Sequence, residues 1–220
     1  MIKKLALFSL IVFMAGCAGT KTIPLSADTA PLMEGRMMSG AFADEKPGFA
    51  AMTADKAMFG ALGAVAMISA GNKIIEENGV EDPASYIYES LAPVLAEQYS
   101  LRLLDDNSIR TSSVKPADLA DNVNDARLLL DVRTIGWNMG YFPTVWNRYR
   151  VGYSAKLRLI DTSTQEVLAE SVCSKMSTDE SESAPTYDEL MADQAALLKS
   201  QLLSAADHCV NEFKTNTLML

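Results

Sequence analysis

One stretch of strict two-residue alternation constrains the fold of this chain more than any other feature. Between Arg148 and Leu159, apolar and polar or small residues take alternate positions. The apolar set is Tyr149, Val151, Tyr153, Ala155, Leu157 and Leu159, and the other set is Arg148, Arg150, Gly152, Ser154, Lys156 and Arg158. Because successive side chains of a strand point to opposite faces, the pattern predicts a half-buried antiparallel strand with one wet face.

The flanking segments extend this strand into a predicted three-stranded meander. Arg127 to Trp137 precedes it, Glu166 to Met176 follows it, and Asp161 to Gln165 has the composition of a tight turn. Leu101 to Leu104 indicates a further short strand. The sequence therefore favours an antiparallel-rich sheet.

Helix start signals lie around these strands. Asp82 followed by Pro83 predicts a helix that runs to about Tyr99, because an N-cap oxygen followed by proline favours the first helical turn. Residues 115–123 form a shorter candidate helix. Thr186 and Glu189 make a capping box that opens a long helix ending near residue 214. The predicted fold class is α+β, with the helices packed mainly on one face of the sheet.

The stretch from Ala57 to Asn72 carries no charged residue and is rich in glycine and alanine. A helix of this length rises about 24 Å, which is short of a hydrocarbon core of about 30 Å. Two alternatives remain. The segment is a close-packed helix inside the domain, or it dips into a bilayer or docks on a partner.

The N-terminal segment has the features of a secretory leader. Lys3 and Lys4 precede an apolar run of signal-peptide size, and the small residues Ala15 and Gly16 stand before Cys17. This arrangement resembles a bacterial lipoprotein leader. The resemblance implies removal of residues 1–16 as a signal peptide, and diacylglycerol and an N-acyl chain such as palmitate on Cys17. An alanine at position 18, where aspartate would favour inner-membrane retention, implies the periplasmic face of the outer membrane.

The rest of the chain then divides into a tether and a body. Residues 17–31 are expected to form a lipidated flexible tether, and residues 32–220 a single α+β domain. The net charge of −9 argues against nucleic acid as a partner. The expected attachment to the membrane is through the lipid anchor.

With Cys17 assigned to lipid by this resemblance, Cys173 and Cys209 remain as a pair. The periplasm is oxidising, which favours a disulfide between them. Cys173 shares strand parity with Ala169 and Ser171, and Cys209 lies on a helical apolar stripe with Leu202. A structural bridge is predicted, because the Cys-x-x-Cys spacing of redox-active pairs is absent.

An aromatic concentration from Trp137 to Tyr149 holds both tryptophans of the chain. Gly136, Gly140 and Pro143 are expected to break the strand ladder there, so that part of the segment projects as a loop. The candidate partner-binding residues are Trp137, Tyr141, Phe142, Trp146 and Arg148. They are interpreted as a partner-protein patch or a carbohydrate platform. Alternatively, the rings fold back and cap the core.

No motif indicates catalysis, a metal or a cofactor. Gly-x-Ser-x-Gly, the P-loop and His-Glu-x-x-His are absent from the sequence. His208, the only histidine, is expected on a helix surface. The chain is accordingly interpreted as a non-enzyme.

The segments Leu157 to Asp161 and Thr164 to Leu168 are similar to the strand–turn–strand of several periplasmic lipoprotein families. These are the curli-secretion-like lipoproteins, the penicillin-binding-protein activator lipoproteins and the N-terminal domain of the Tol-system β-propeller protein. The resemblance implies a small α/β domain with helices on one face of a mixed sheet. The expected function is a binding or assembly accessory of the cell envelope, with an envelope protein or glycan as partner. The alternatives are an enzyme acting on envelope glycan and a subunit of an oligomeric secretion pore.

Overall fold

A seven-stranded sheet organises the computed structural model, which describes residues 22–53, 60–104 and 108–220. The strands are β1 Met37–Phe42, β2 Ala50–Met52, β3 Arg102–Leu103, β4 Ile109–Arg110, β5 Leu128–Phe142, β6 Val145–Asp161 and β7 Glu166–Met176. The helices are α1 Ala30–Met33, α2 Gly60–Asn78, α3 Pro83–Tyr99, α4 Pro116–Asp121 and α5 Tyr187–Glu212. The expected leader and the lipidation site Cys17 lie outside the described residues.

The sheet is mixed, and the expectation of an antiparallel-rich sheet is wrong. β6 pairs antiparallel with β5 and with β7. The other pairings are parallel, since β1 pairs with β3, β4 and β5, and β2 pairs with β5. The sequence pattern does not reveal the parallel strand β1, because its four central residues are all buried. A strand buried on both faces has no polar alternation to reveal it.

The β5–β6 hairpin is longer than the sequence suggested. Its regular ladder runs from Leu128 opposite Asp161 to Tyr141 opposite Tyr149, with a bulge between Thr134 and Gly136. A second shift in register then pairs Phe142 with Val145 and leaves residues 146–148 without partners in the ladder. The aromatic segment is therefore strand up to Phe142, and the expected projecting part is confined to the turn at residues 143–144 and the unpaired residues 146–148. Glycine does not end a strand by itself, because it can adopt the extended conformation as other residues do.

Helices cover the two faces of the sheet unequally. α3 and α5 pack together over β5, β6 and β7 and enclose the main core. On the opposite face α4 covers a smaller apolar cluster, made by Leu119 with Ala41, Leu129 and Ile160. The alternation predicts that this face is exposed to solvent, and the small cluster buries one end of it.

Charged residues are buried beside that smaller cluster. Asp131 accepts hydrogen bonds from Arg133 Nε at 2.7 Å and from Arg158 Nη2 at 2.6 Å. All three side chains are almost entirely excluded from solvent. Arg158, which the alternation placed on the wet face, therefore belongs to a buried arginine–aspartate–arginine group.

The disulfide expected from the sequence is present. Cys173 of β7 and Cys209 of α5 are bonded, with Cα atoms 5.5 Å apart. The bridge ties the helix that begins at the capping box of Thr186 and Glu189 to the edge of the sheet. Residues 192–195 interrupt this helix, and Asp193 has a positive φ of 51° there.

The N-terminal segment joins the folded body earlier than the expected tether allows. The N–H of Ile23 donates to the Glu170 carbonyl at 2.7 Å, and the N–H of Leu25 donates to the Thr217 carbonyl at 2.7 Å. Leu25 is buried in the main core. Residues 23–31, assigned to the tether by composition, are thus part of the folded structure.

Helix α2 covers the uncharged stretch from residue 60 onward and lies against β2. Gly71 is in close contact with the strand, and Ile75 is buried, but Val65 is 71% exposed. Of the uncharged stretch, Gly63 and Gly71 are buried, residues 64–66, 68–69 and 72 are exposed, and residues 57–59 lie outside the described part of the chain. The helix thus lies on the surface of the domain with one face against the sheet, and the expectation of a helix packed inside the domain holds for that face alone. Among the described residues, no helix has both the length and the apolarity needed to cross a membrane.

Candidate functional site

The end of the β5–β6 hairpin, residues 141–149, presents an aromatic side chain to solvent, and we call this region the hairpin tip. Trp146 is 68% exposed. Its indole Nε1 donates a hydrogen bond to the Pro143 carbonyl at 2.8 Å. Because this bond crosses the turn, the ring is held in one orientation while its faces stay accessible.

Phe142 supports the tip from the face of the hairpin that carries Arg150. It is buried, and the guanidinium of Arg150 lies 5.1 Å from the centre of its ring. Arg150 also reaches Asp179 at 3.7 Å. A cation over an aromatic ring is attractive at this distance, so Arg150 ties the acidic loop after β7 to the hairpin.

The start of α5 braces the other side of the tip. Arg148 Nη1 donates to the Ala184 carbonyl at 2.9 Å, and the N–H of Tyr149 donates to the Pro185 carbonyl at 2.8 Å. The rings of Tyr149 and Tyr187 meet edge to face at 5.9 Å. The tip is therefore fixed against the beginning of a long helix.

Glu189 carries a fixed negative charge beside this brace. Hydrogen bonds from the backbone N–H and the hydroxyl of Thr186, at 2.7 and 3.0 Å, hold the pKa of the Glu189 carboxyl below its ordinary value. Arg148, whose Nη1 is 3.7 Å away, acts in the same direction. The tip thus carries an arginine, Arg148, that is paired with an acidic group at the start of α5.

The structure brings four of the five predicted binding residues together. Tyr141, Phe142, Trp146 and Arg148 lie at the tip, and Tyr141 is half-buried opposite Tyr149. Trp137 does not join them, because it is buried in the main core. Its ring meets Phe49 edge to face at 5.5 Å, and its Nε1 donates to the Pro47 carbonyl at 2.7 Å. For this residue the alternative of a ring packed into the core describes the observed position.

A cavity of about 400 Å³ lies at the N-terminal end of α3 and was missed by sequence analysis. Residues from five segments of the chain line it, among them Asp44, Asp82, Glu89, Arg110 and Arg133. Acidic and basic side chains are mixed in its wall, so neither sign of charge dominates.

A polar network joins this end of α3 to the sheet. Asp82 caps the helix by accepting from the Ala84 N–H at 2.9 Å, and its Oδ1 also accepts from the Thr134 hydroxyl. Thr134 in turn lies 2.9 Å from the Tyr153 hydroxyl. Burial raises the pKa of that phenol, so Tyr153 stays neutral and serves as a hydrogen-bonding group.

One sequence signal pointed toward the buried charges. Asp131 interrupts the apolar run from Leu128 to Val132, and a charge within such a run is buried only when it is paired. Its arginine partners are two residues along the same strand and on the next strand. The second partner could not be chosen without the strand register.

Comparison with known proteins gives fold likeness only. No protein-family model matches the sequence, and no curated protein matches it. Among solved structures, the PelC dodecamer from Paraburkholderia phytofirmans is 12% identical, with 85% of this chain and 93% of that one covered and a TM-score of 0.33. Lipoprotein GNA1162 from Neisseria meningitidis is 16% identical, with 80% and 99% covered and a TM-score of 0.29.

The C-terminal domain of LpoB from Salmonella enterica is 12% identical, with 65% of this chain and 84% of that one covered and a TM-score of 0.24. Bacterial lipoproteins thus stand among the similar structures. At TM-scores below 0.5 neither a shared family nor a shared function follows.

Proposed function

We propose that this protein is a lipid-anchored accessory of the bacterial cell envelope that binds an envelope protein through its hairpin tip. The observation that carries the proposal is Trp146, an exposed indole held in place by a hydrogen bond to Pro143. Large aromatic side chains supply most of the binding energy at many protein interfaces. A fixed ring also loses little entropy on binding.

The surroundings of Trp146 support a protein partner. An interface typically has an apolar centre and a polar rim that excludes water. Here Arg148 at the tip pairs with Glu189, and Arg150 next to the tip pairs with Asp179, each at 3.7 Å. The rim is therefore preorganised and offers both signs of charge to a complementary surface.

The location belongs to the same proposal. The leader resembles that of bacterial lipoproteins, and acyl chains on Cys17 would hold the body at the periplasmic face of the outer membrane. Attachment by two or more acyl chains is stable without any protein surface in the bilayer. We further propose that the protein is not an enzyme and needs no cofactor beyond its covalent lipid.

The experiment that tests the proposed function is crosslinking in intact cells with the wild type and with the variant Trp146→Ala. The variant is expected to lose the crosslinked protein partner. Because Trp146 is mostly exposed, its removal should change the free energy of unfolding by less than about 0.5 kcal/mol.

The matched control is Leu203→Ala, which removes another exposed apolar side chain far along α5 from the tip. This variant should keep the partner. Undiminished crosslinking by Trp146→Ala would refute the docking surface. Turnover of peptidoglycan fragments by the wild type would refute the non-enzymatic assignment. Binding of a purified glycan at the hairpin tip, with no protein crosslinked there, would refute a protein partner in favour of a glycan.

A further inference from the structure

The disulfide region contains more chemistry than a structural bridge requires. His208 and Glu212 lie on the same face of α5, one helical turn apart, and both are half-buried. A ring nitrogen of His208, a carboxylate oxygen of Glu212 and Sγ of Cys173 all lie within 4.8 Å of one another. A disulfide sulfur, an imidazole and a carboxylate therefore converge where β7 meets the helix.

This donor set matches zinc. Zn²⁺ is bound by cysteine sulfur, histidine nitrogen and carboxylate oxygen, and a three-residue set leaves the fourth position to water. In a tetrahedral site with Zn–S near 2.3 Å and Zn–N near 2.0 Å, neighbouring donors lie about 3.3–3.8 Å apart. Separations of at most 4.8 Å exceed that spacing by no more than about 1.0–1.5 Å, which side-chain rotation can supply.

The disulfide prevents this coordination, because the sulfur of Cys173 is a metal ligand only as a thiolate. We propose that opening the Cys173–Cys209 bond creates a Zn²⁺ site formed by Cys173, His208 and Glu212. The bridged state and the zinc-bound state then exclude each other.

The exchange balances with an ordinary dithiol as reductant. The dithiol is oxidised to its own disulfide and delivers two electrons and two protons, which leave Cys173 and Cys209 as thiols. Zn²⁺ then displaces the thiol proton of Cys173. The Cys209 thiol, no longer bonded, is outside the three-donor set.

Two single-cysteine variants of the full-length protein separate this site from a general effect of losing the bridge. Cys209→Ser keeps all three donors, whereas Cys173→Ser removes one, and both lack the disulfide. Binding is measured anaerobically in detergent, with Zn²⁺ alone in competition against a chromophoric chelator. Cys209→Ser is expected to bind one Zn²⁺, with an affinity at least about tenfold higher than that of Cys173→Ser.

Changes to the other two donors test the assignment further. His208→Ala or Glu212→Gln, added to Cys209→Ser, should each weaken binding at least about tenfold. Asp188→Asn, an exposed carboxylate on the first turn of the same helix, should not. Equal affinity of the two single-cysteine variants, or less than one equivalent bound by Cys209→Ser, would overturn the proposal.

A second measurement does not depend on the folding of any variant. In wild-type protein opened by a phosphine, Zn²⁺ should slow alkylation of Cys173 more than alkylation of Cys209, as peptide mass spectrometry can measure. Equal protection of both thiols, or none, would likewise contradict the site.

Discussion

At the scale of single residues, the Asp131 carboxylate compensates the charge of two buried arginines. Its two carboxylate oxygens face Arg133 and Arg158, and nothing else in the described residues neutralises that pair at bonding distance. Arg133 Nη2 is buried without a hydrogen-bond partner, so the group has no spare acceptor. Removing the carboxylate would leave two guanidinium charges out of water.

We therefore expect Asp131→Ala to lower the free energy of unfolding by about 3–5 kcal/mol, measured by denaturant titration. The control is Lys73→Ala, which breaks the exposed pair with Glu77 on α2 and should cost less than about 0.5 kcal/mol. Similar small losses in both variants would show that the buried pairing does not stabilise the fold.

Individual residues also show what the sequence could reveal. The disulfide between Cys173 and Cys209 is predictable, because strand parity and helical periodicity each place one sulfur toward a common core. Trp137 and Trp146 were grouped because they are close in sequence, yet one is buried and the other exposed. The two side chains are nine residues apart, and their burial differs because one lies along the strand and the other beyond the turn. The length of the strand and the position of the turn do not follow from composition.

At the scale of elements, the β6–β7 turn depends on one carboxylate. Asp161 accepts from Arg127 Nη2 at 2.6 Å, from the N–H and hydroxyl of Ser163, and from the Thr164 N–H. Burial acts to raise the pKa of Asp161, but these hydrogen bonds outweigh it and the net pKa is lowered. The folded protein thus holds this carboxylate ionised more strongly than the unfolded chain does.

The lowered pKa fixes the sign of a pH dependence. Stability from Asp161 is fully present above the unfolded pKa of about 3.9, and it is lost as the pH falls through the lower folded value. Asp161→Asn should therefore lower the free energy of unfolding by about 1–3 kcal/mol at pH 7. The difference from wild type should shrink below pH 4. A difference that stays constant with pH in denaturant titrations would contradict this account.

The contact between α2 and β2 rests on the absence of a side chain. A Cβ at Gly71 would overlap the carbonyl oxygen of Phe49, which directly precedes β2, and would lie 2.9 Å from the backbone nitrogen of Ala51 within β2. Because these are backbone atoms, relieving the overlap would displace the strand. Beside it, Asn72 Oδ1 accepts from the Phe49 N–H at 2.9 Å. The helix therefore sits as close to the strand as the backbone allows.

We expect Gly71→Ala to destabilise the protein by about 1–3 kcal/mol, because the overlap outweighs the better helix propensity of alanine. Gly136→Ala is the matched control, since a Cβ there meets no heavy atom within 4 Å. It should stay within about 0.5 kcal/mol of wild type. Thermal unfolding of the two variants measures the contrast, and equal melting temperatures would refute the close contact.

Elements with a strong local signal were predictable, and elements defined by remote partners were not. The cap at Asp82 and the capping box at Thr186 mark helix starts by chemistry within a few residues. β1 and β2 owe their pairing to β5, which lies far along the chain. Parallel pairing leaves no turn in the sequence, so the mixed sheet could not be derived from periodicity alone.

At the scale of the whole molecule, the first residues that the structure describes meet β7 and the C-terminal segment at the edge of the sheet. Ile23 pairs with Glu170 of β7, and Leu25 bonds to Thr217 in the turn that follows α5. From Cys17 to Ile23 a fully extended chain spans at most about 21 Å. A lipid on Cys17 would therefore hold this edge of the body near the membrane surface. The short connection would also limit how far the body, and with it the hairpin tip, can move from the membrane.

The final prediction concerns the anchor itself. Cys17→Ser should abolish labelling of the protein by palmitate and move it from the membrane fraction to the soluble periplasmic fraction. The fold should be unaffected, because the replaced residue precedes the first pairing at Ile23. Cys209→Ser, which also removes one sulfur, should keep both the label and the membrane association. Continued sedimentation of Cys17→Ser with membranes would point instead to a protein surface as the attachment, and the exposed first half of α2 around Val65 would be the segment to truncate next.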